Sequence, residues 1–427
     1  MTLSDNDRAV ARFTMLAHGT VHWFELAIPI FLVVWLEAFE VSVGLLGVVI
    51  ALGYAPFGLG ALPAGMLADR YGPKRLVLVC LAGMSASFVA LAFATSIYAL
   101  AAGLLCWGIF ASIYHPAGLA LISTGVDERG TVFARHGIAG NVGIALGPFA
   151  TATLLLALDW RLVAVALAVP GAVATVYGLR AEFDPTAALE GGHAPSRDET
   201  GAGSQSAGSG FVSNSRTLFA SSFLLVFAIV TVVGLYYRGV LTYLPELLGG
   251  LPSTDGIEPP GGLEEFSIGD YVYVGLLVAG MAGQYVAGKL TGRVPVARGL
   301  VVVFVALAIL AVAFVPISSM GLAAVALYCG ILGFALFAIE PFYQEAVAVY
   351  TPADTRGLSY GYTYLGMFGL GALSISAGGL LLDRATMGVF FATLSVIALV
   401  GAAVSVTLLW RSLSNDAETE GAVATDD

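Results

Sequence analysis

Long apolar runs organise this chain, without the two-residue alternation of a half-buried strand. A helix crosses the hydrocarbon of a bilayer with about 20 apolar residues. Runs of that size recur at residues 11–37, 42–67, 75–96, 98–123, 136–158, 160–180, 217–248, 267–290, 296–316, 320–349, 357–382 and 386–410. The expected fold is therefore an all-α membrane protein of twelve transmembrane helices. Two stretches break the pattern. Residues 181–215 are rich in Gly, Ser, Ala and charge and read as a flexible linker. Residues 411–427 read as an acidic disordered tail. The expected domains are a six-helix half over 1–180, the linker over 181–215, a second half over 216–410, and the tail.

Charge orients the bundle, because Lys and Arg collect in cytoplasmic loops. With the N-terminus inside, only Arg161, Arg238 and Arg384 of the 18 basic residues fall in outer loops or outer halves of helices. Both termini and the linker are thus expected in the cytoplasm, in a plasma-membrane protein. The halves also repeat. Gly108 to Pro116 (GIFASIYHP) matches Gly333 to Pro341 (GFALFAIEP) at an offset of 225, and Arg129-Gly130 matches Arg356-Gly357 at 227. Gly65, Arg70 and Arg75 match Gly288, Arg293 and Arg298 at 223. Two six-helix halves joined by a cytoplasmic linker put a substrate site near the bilayer midplane, between them.

Composition narrows the function. The chain is 58% hydrophobic and 11% charged, against about 25% charged in a soluble domain. With a net charge of −11, nucleic acid is not an expected partner. The acid lies in Asp5, Asp7, the stretch from Asp255 to Asp270 and the tail from Asp416 to Asp427, which fits a high-salt host and ordinary solvated loops alike. Cys80, Cys106 and Cys329 lie in apolar runs without metal-site spacing and read as packing thiols. The apolar run from Phe13 to Phe39 is too long for a cleaved signal peptide. There is no Walker loop and no hydrolytic or redox constellation, so neither an enzyme nor a cofactor is expected.

Gly65-Met-Leu-Ala-Asp69-Arg70-Tyr-Gly72-Pro-Lys74-Arg75 joins the second and third runs. It fits the pattern G-x-x-x-D-[RK]-x-G-x-[RK]-[RK] and so resembles the major facilitator superfamily, whose cytoplasmic gate this motif forms. Physically, Gly65 permits close helix approach, Asp69 accepts from helix amides or a basic partner, and Arg70, Lys74 and Arg75 hold the loop at the inner surface. The second-half copy has Gly292 where Asp69 stands. Within that superfamily, Tyr114-His115-Pro116, Gly140-Asn141-Val142-Gly143 to Gly147-Pro148, and Arg238-Gly239 with Thr242 to Pro245 resemble fosmidomycin-resistance-like permeases. The resemblance implies proton-coupled transport of a small organic molecule, often outward. Gly143, Gly147 and Pro148 also resemble an antiporter motif, although Phe149-Ala150 stands where a glycine pair normally follows.

Ionisable residues inside a membrane usually face a polar cavity and act there. Glu25 lies 13 residues beyond Arg12, roughly 20 Å into the membrane. His18 and His22 share its helix face. His115 and Glu340 occupy equivalent repeat positions. Arg238 lies beside Tyr237. Glu25 or Glu340 can carry a coupling proton, and His22 or His115 can relay it. Arg238 needs an anion, either a protein carboxylate such as Glu25 or an anionic substrate. The expected activity is secondary active transport of a small organic solute by alternating access, as proton-coupled efflux by a monomer. The alternatives are symport importing an organic anion, and a non-transporting sensor on the same fold.

Overall fold

The computed structural model describes residues 3–190, 207–251, 268–351 and 356–423. Among these, eleven helices are long and apolar enough to span a membrane, and a bent pair makes a twelfth. They are α1 (Asp5–Ala38), α2 (Val43–Leu59, continued by Ala61–Tyr71), α3 (Pro73–Leu91), α4 (Ile97–Gly125), α5 (Arg129–Leu155) and α6 (Trp160–Arg180) in the first half. The second half holds α7 (Phe223–Gly249), α8 (Ile268–Leu290), α9 (Val296–Ser318), α10 (Leu322–Tyr350), α11 (Leu358–Arg384) and α12 (Met387–Val423). Side-chain caps start several of them. Ser4, Ser42, Ser96 and Asp159 each accept from a backbone N–H in the first turn of α1, α2, α4 and α6, satisfying a donor that has no helical partner.

Three spans are interrupted where the sequence cannot sustain a regular helix. α2 bends by 41° around Gly60. α4 breaks at Ser112–Ile113, the residues that the Pro116 ring and its missing N–H disturb. α11 contains a π turn at Leu365–Leu370, a stretch with Gly366 and Gly369.

The halves meet along three helix pairs: α2 on α11, α1 on α7 and α5 on α8. Close approach of α2 and α11 requires glycine. A Cβ on Gly58 would lie 2.0 Å from the Gly369 nitrogen. Toward the end opposite the termini, a Cβ on Gly47 of α2 would lie 2.2 Å from the Tyr243 hydroxyl of α7. A Cβ on Gly44 of α2 would lie 2.3 Å from an oxygen of Asp383 there.

The segment between the halves differs from expectation. Its first residues are tied to the N-terminal half: Asn6 Nδ2 donates to the Asp184 carbonyl at 3.1 Å, and Thr124 Oγ1 donates to the Pro185 carbonyl at 2.6 Å. Two Thr186 donors, its N–H and its hydroxyl, hold the exposed Asp184 carboxyl below its usual range. Residues 207–220 form a separate helix, and α7 starts at Phe223 rather than 217. Phe219 explains the helix: it packs on Phe223, Phe227 and Tyr362, so these residues have apolar surface to bury. Residues 191–206 of the expected linker and 424–427 of the expected tail lie outside the described residues, and α12 runs on to Val423.

Candidate functional site between the halves

α1 presents His18, His22 and Glu25 on one face, since residues three, four and seven apart align along a helix. α7 presents Tyr237 and Arg238 toward it. Glu25 and Arg238 are 1% and 2% exposed, so two charges are buried where the halves meet. Glu25 uses both oxygens: Oε1 accepts from Arg238 Nη2, and Oε2 accepts from His22 Nδ1 at 2.6 Å. Tyr54 of α2 donates to the Glu25 backbone carbonyl at 2.5 Å. The pairing that the sequence left open is therefore made within the protein.

Aromatic rings surround the guanidinium. Its carbon lies 4.6 Å from the ring centres of both Tyr54 and Phe368, and 5.5 Å from Tyr237. Phe368 comes from the π turn of α11. Arg238 Nε is buried without a hydrogen-bond partner. A buried donor left unpaired costs about 1–3 kcal/mol, so this edge of the guanidinium favours an acceptor.

Glu340 of α10 sits in a different environment. Gln284 of α8 donates to its Oε2 at 2.9 Å, and Gln344 donates to its Oε1 at 3.0 Å. These partners are neutral amides, in contrast to the cation beside Glu25.

His115, just beyond the α4 break, is buried with Nδ1 unpartnered. Its ring lies 4.7 Å from Tyr364 across the interface and 5.5 Å and 5.6 Å from His18 and His22. His136 of α5 joins them, stacked on His18 at 3.8 Å and 7°. The sequence reading missed His136 because the expected span began at that residue, whereas α5 starts at Arg129 and carries it inward. Gly140, one turn later, leaves room for the neighbouring ring: a Cβ there would lie 2.5 Å from the His18 ring. Tyr54, Phe368 and Gln284 were missed too, being ordinary residues of apolar runs until the fold brings them to a charge.

In the helix 5 motif, Cβ atoms on Gly143 and Gly147 would lie 2.0 Å and 2.3 Å from carbonyl oxygens of α1, those of Gly19 and Trp23. Pro148 is buried and Asn141 half-buried on the same helix. In the loop motif, Gly72 has φ +88° and links α2 to α3, with Pro73 as the first residue of α3. Lys74 donates to the Ala181 carbonyl and lies 4.6 Å from the Phe183 ring centre, Arg70 lies over Tyr71, and Arg75 is exposed. Gly65 corrects one expectation: a Cβ there would meet only Pro116, at 3.9 Å, so close approach does not require glycine. The side chain of Asp69 lies outside the described residues.

Comparison with known proteins fits this architecture. A gallate transporter of Pseudomonas putida is 33% identical over 122 residues, 28% of this chain and 27% of that protein. An uncharacterized MFS-type transporter of Bacillus subtilis (strain 168), YqjV, is 30% identical over 126 residues, 29% of this chain and 30% of that protein. Both matches thus span less than a third of the relative. A bacterial homologue of the human lysosomal transporter Spinster, inward-facing and occupied, has a TM-score of 0.69 at 16% identity, covering 95% of this chain and 97% of that one. The nucleoside transporter NupG, solved as a point mutant, gives 0.70 at 14% identity, covering 95% and 99%. At such identities the likeness is one of fold. The family model of the Major Facilitator Superfamily matches residues 14–375. With twelve spans in two halves and most of its length matched by that model, the chain belongs to the Major Facilitator Superfamily.

Proposed function

We propose that this chain is a secondary transporter moving a small organic anion across the plasma membrane by alternating access, together with a proton. The carrying observation is the state of Arg238. Tyr54 and Phe368 cover the guanidinium, Glu25 engages Nη2, and Nε has no partner. The unpartnered Nε–H, beside Nη2, leaves one edge of the guanidinium short of an acceptor. Two parallel N–H groups match a carboxylate. A carboxylate arriving along the Nε–Nη2 edge exchanges the single hydrogen bond that Nη2 donates to Glu25 for a two-point contact and loosens the link between α1 and α7. The rings around the site suit a flat aromatic carboxylate, and gallate, named for the Pseudomonas putida relative, is one.

Glu340 is the proton carrier in this reading. Its partners are amides, so it can gain and lose a proton without breaking an ion pair. An anion and a proton moving in the same direction carry no net charge through hydrocarbon, where charge is costly. The termini and the Gly72 turn face the cytoplasm, with Arg70, Lys74 and Arg75 at the inner surface. A second reading is efflux by antiport. It is supported by the direct packing of Gly143 and Gly147 on α1, as in the antiporter motif of helix 5, and by the pieces resembling fosmidomycin-resistance-like permeases.

Proteoliposomes with a trapped pH dye test the two. Addition of an aromatic carboxylate outside should acidify the lumen; alkalinisation instead selects antiport. Arg238→Ala should abolish the signal, and Glu340→Gln should exchange labelled anion without moving protons. Wild-type flux in Arg238→Ala, or silence across a panel of carboxylates with folded, inserted protein, overturns the anion reading.

A further inference from the structure

Four of the chain's 5 histidines converge inside the N-terminal half: His18 and His22 on α1, His115 on α4 and His136 on α5. The ring nitrogens that His18, His22 and His115 offer all lie within 4.8 Å of one another.

Hydrogen bonds set the tautomers of two of these rings. His18 Nδ1 contacts the His136 carbonyl at 2.8 Å, and a carbonyl can only accept, so Nδ1 donates. His22 Nδ1 donates to the Glu25 carboxylate at 2.6 Å. In the neutral rings both Nε2 atoms therefore carry lone pairs. Those atoms face each other at 3.0 Å. Two lone pairs at that distance repel unless something electrophilic lies between them. The third ring supplies an independent sign: His115 is 6% exposed and its Nδ1 has no partner.

We propose that His18, His22 and His115 bind a divalent transition-metal ion of the zinc type. Zinc–nitrogen bonds of about 2.0–2.1 Å in tetrahedral geometry put two ligand nitrogens roughly 3.3 Å apart. The facing pair already has close to this spacing, and the nitrogen that His115 offers lies within 4.8 Å of those of the other two rings. Imidazole suits zinc, copper and nickel over magnesium or calcium. The outer partners are of the usual kind, a backbone carbonyl and a carboxylate, each fixing a ligating ring through its other nitrogen. His136 buttresses the set, stacked on His18 with its Nε2 3.0 Å from the Tyr114 hydroxyl. His22, whose side chain is 13% exposed, is the point of entry, and water completes the coordination. The rival explanation of the facing nitrogens is a single proton shared between them.

Cobalt decides between the two. The full chain, without an affinity tag and with His193→Ala so that only the clustered histidines remain, is titrated in detergent with Co²⁺. The expected result is one Co²⁺ per chain with the intense visible bands of a tetrahedral ion, displaced by Zn²⁺. Zn²⁺ should also raise the thermal unfolding midpoint. His22→Gln and His115→Gln should each weaken binding by at least about tenfold, the loss seen when even an outer hydrogen-bond partner of a metal ligand is removed. Asp159→Asn, at the N-cap of α6 away from the cluster, should bind like the parent. No tetrahedral spectrum at saturating Co²⁺ overturns the site and leaves the shared proton, as does binding unchanged in both histidine variants. If the variants fail to fold, the parent spectrum alone decides.

Discussion

Glu25 and Arg238 are the opposite charges of one buried ion pair. Removing one partner of a buried ion pair leaves an uncompensated charge and costs about 3–5 kcal/mol. Glu25→Ala should therefore lower the thermal unfolding midpoint of the detergent-solubilised protein sharply. The double variant Glu25→Gln with Arg238→Met should recover much of that loss while remaining inactive. A Glu25→Ala protein as stable as the parent would contradict the buried pair. Both residues were legible in the sequence, because a charge in an apolar run stands out. The rings that enclose Arg238 were not, because Tyr54 and Phe368 look like any aromatic residue of a membrane span until α2 and α11 bring them to the guanidinium.

Among the elements, two glycines of one motif behave differently. Gly72 holds φ +88°, where an L side chain is strained, a cost of about 1–3 kcal/mol. Gly65 has an ordinary helical backbone, and a Cβ there would make only a van der Waals contact with Pro116. Gly72→Ala should thus destabilise the α2–α3 turn measurably, while Gly65→Ala should change the unfolding midpoint little; equal effects would mean that backbone conformation is not the reason for Gly72. The motif itself was legible from spacing alone, but which glycine is indispensable depends on dihedrals and neighbours. Gly143 makes the complementary case. A side chain there meets the Gly19 carbonyl of α1, and overpacking typically costs 1–3 kcal/mol. Gly143→Val should separate α1 from α5 and be detected as reduced stability with loss of transport. Wild-type flux from a stable Gly143→Val protein would show the contact to be dispensable.

For the whole molecule, alternating access requires α2 and α11 to part at the end opposite the termini. Gly44 and Asp383 touch there across the two halves. A chain with Gly44→Cys and Asp383→Cys, and with Cys80, Cys106 and Cys329 replaced, should form a disulfide on oxidation and stop transporting. Reductant should restore flux. Transport at full rate with the crosslink formed would rule out rocking about this interface.

The sequence by itself determined the number of spans and the two-half plan, and marked the ionisable residues that are costly in hydrocarbon. Apolar run length, charge position and repeat offsets are local properties, readable without knowing which helix touches which. Over residues 207–220 the linker is helical instead, because glycine and serine content does not reveal that Phe219 finds an aromatic cluster on α7 and α11. The site was only half legible. Glu25, His22, His115, Arg238 and Glu340 were visible as costly residues in hydrocarbon, but their roles depend on partners more than 50 positions away: Arg238 for Glu25, Gln284 for Glu340, His136 for His18. Only the tertiary structure decides such pairings, because they follow from how α1, α4, α5, α7 and α11 cross. Those crossings are set by which glycines let backbones approach and where Pro116 and the π turn interrupt a helix.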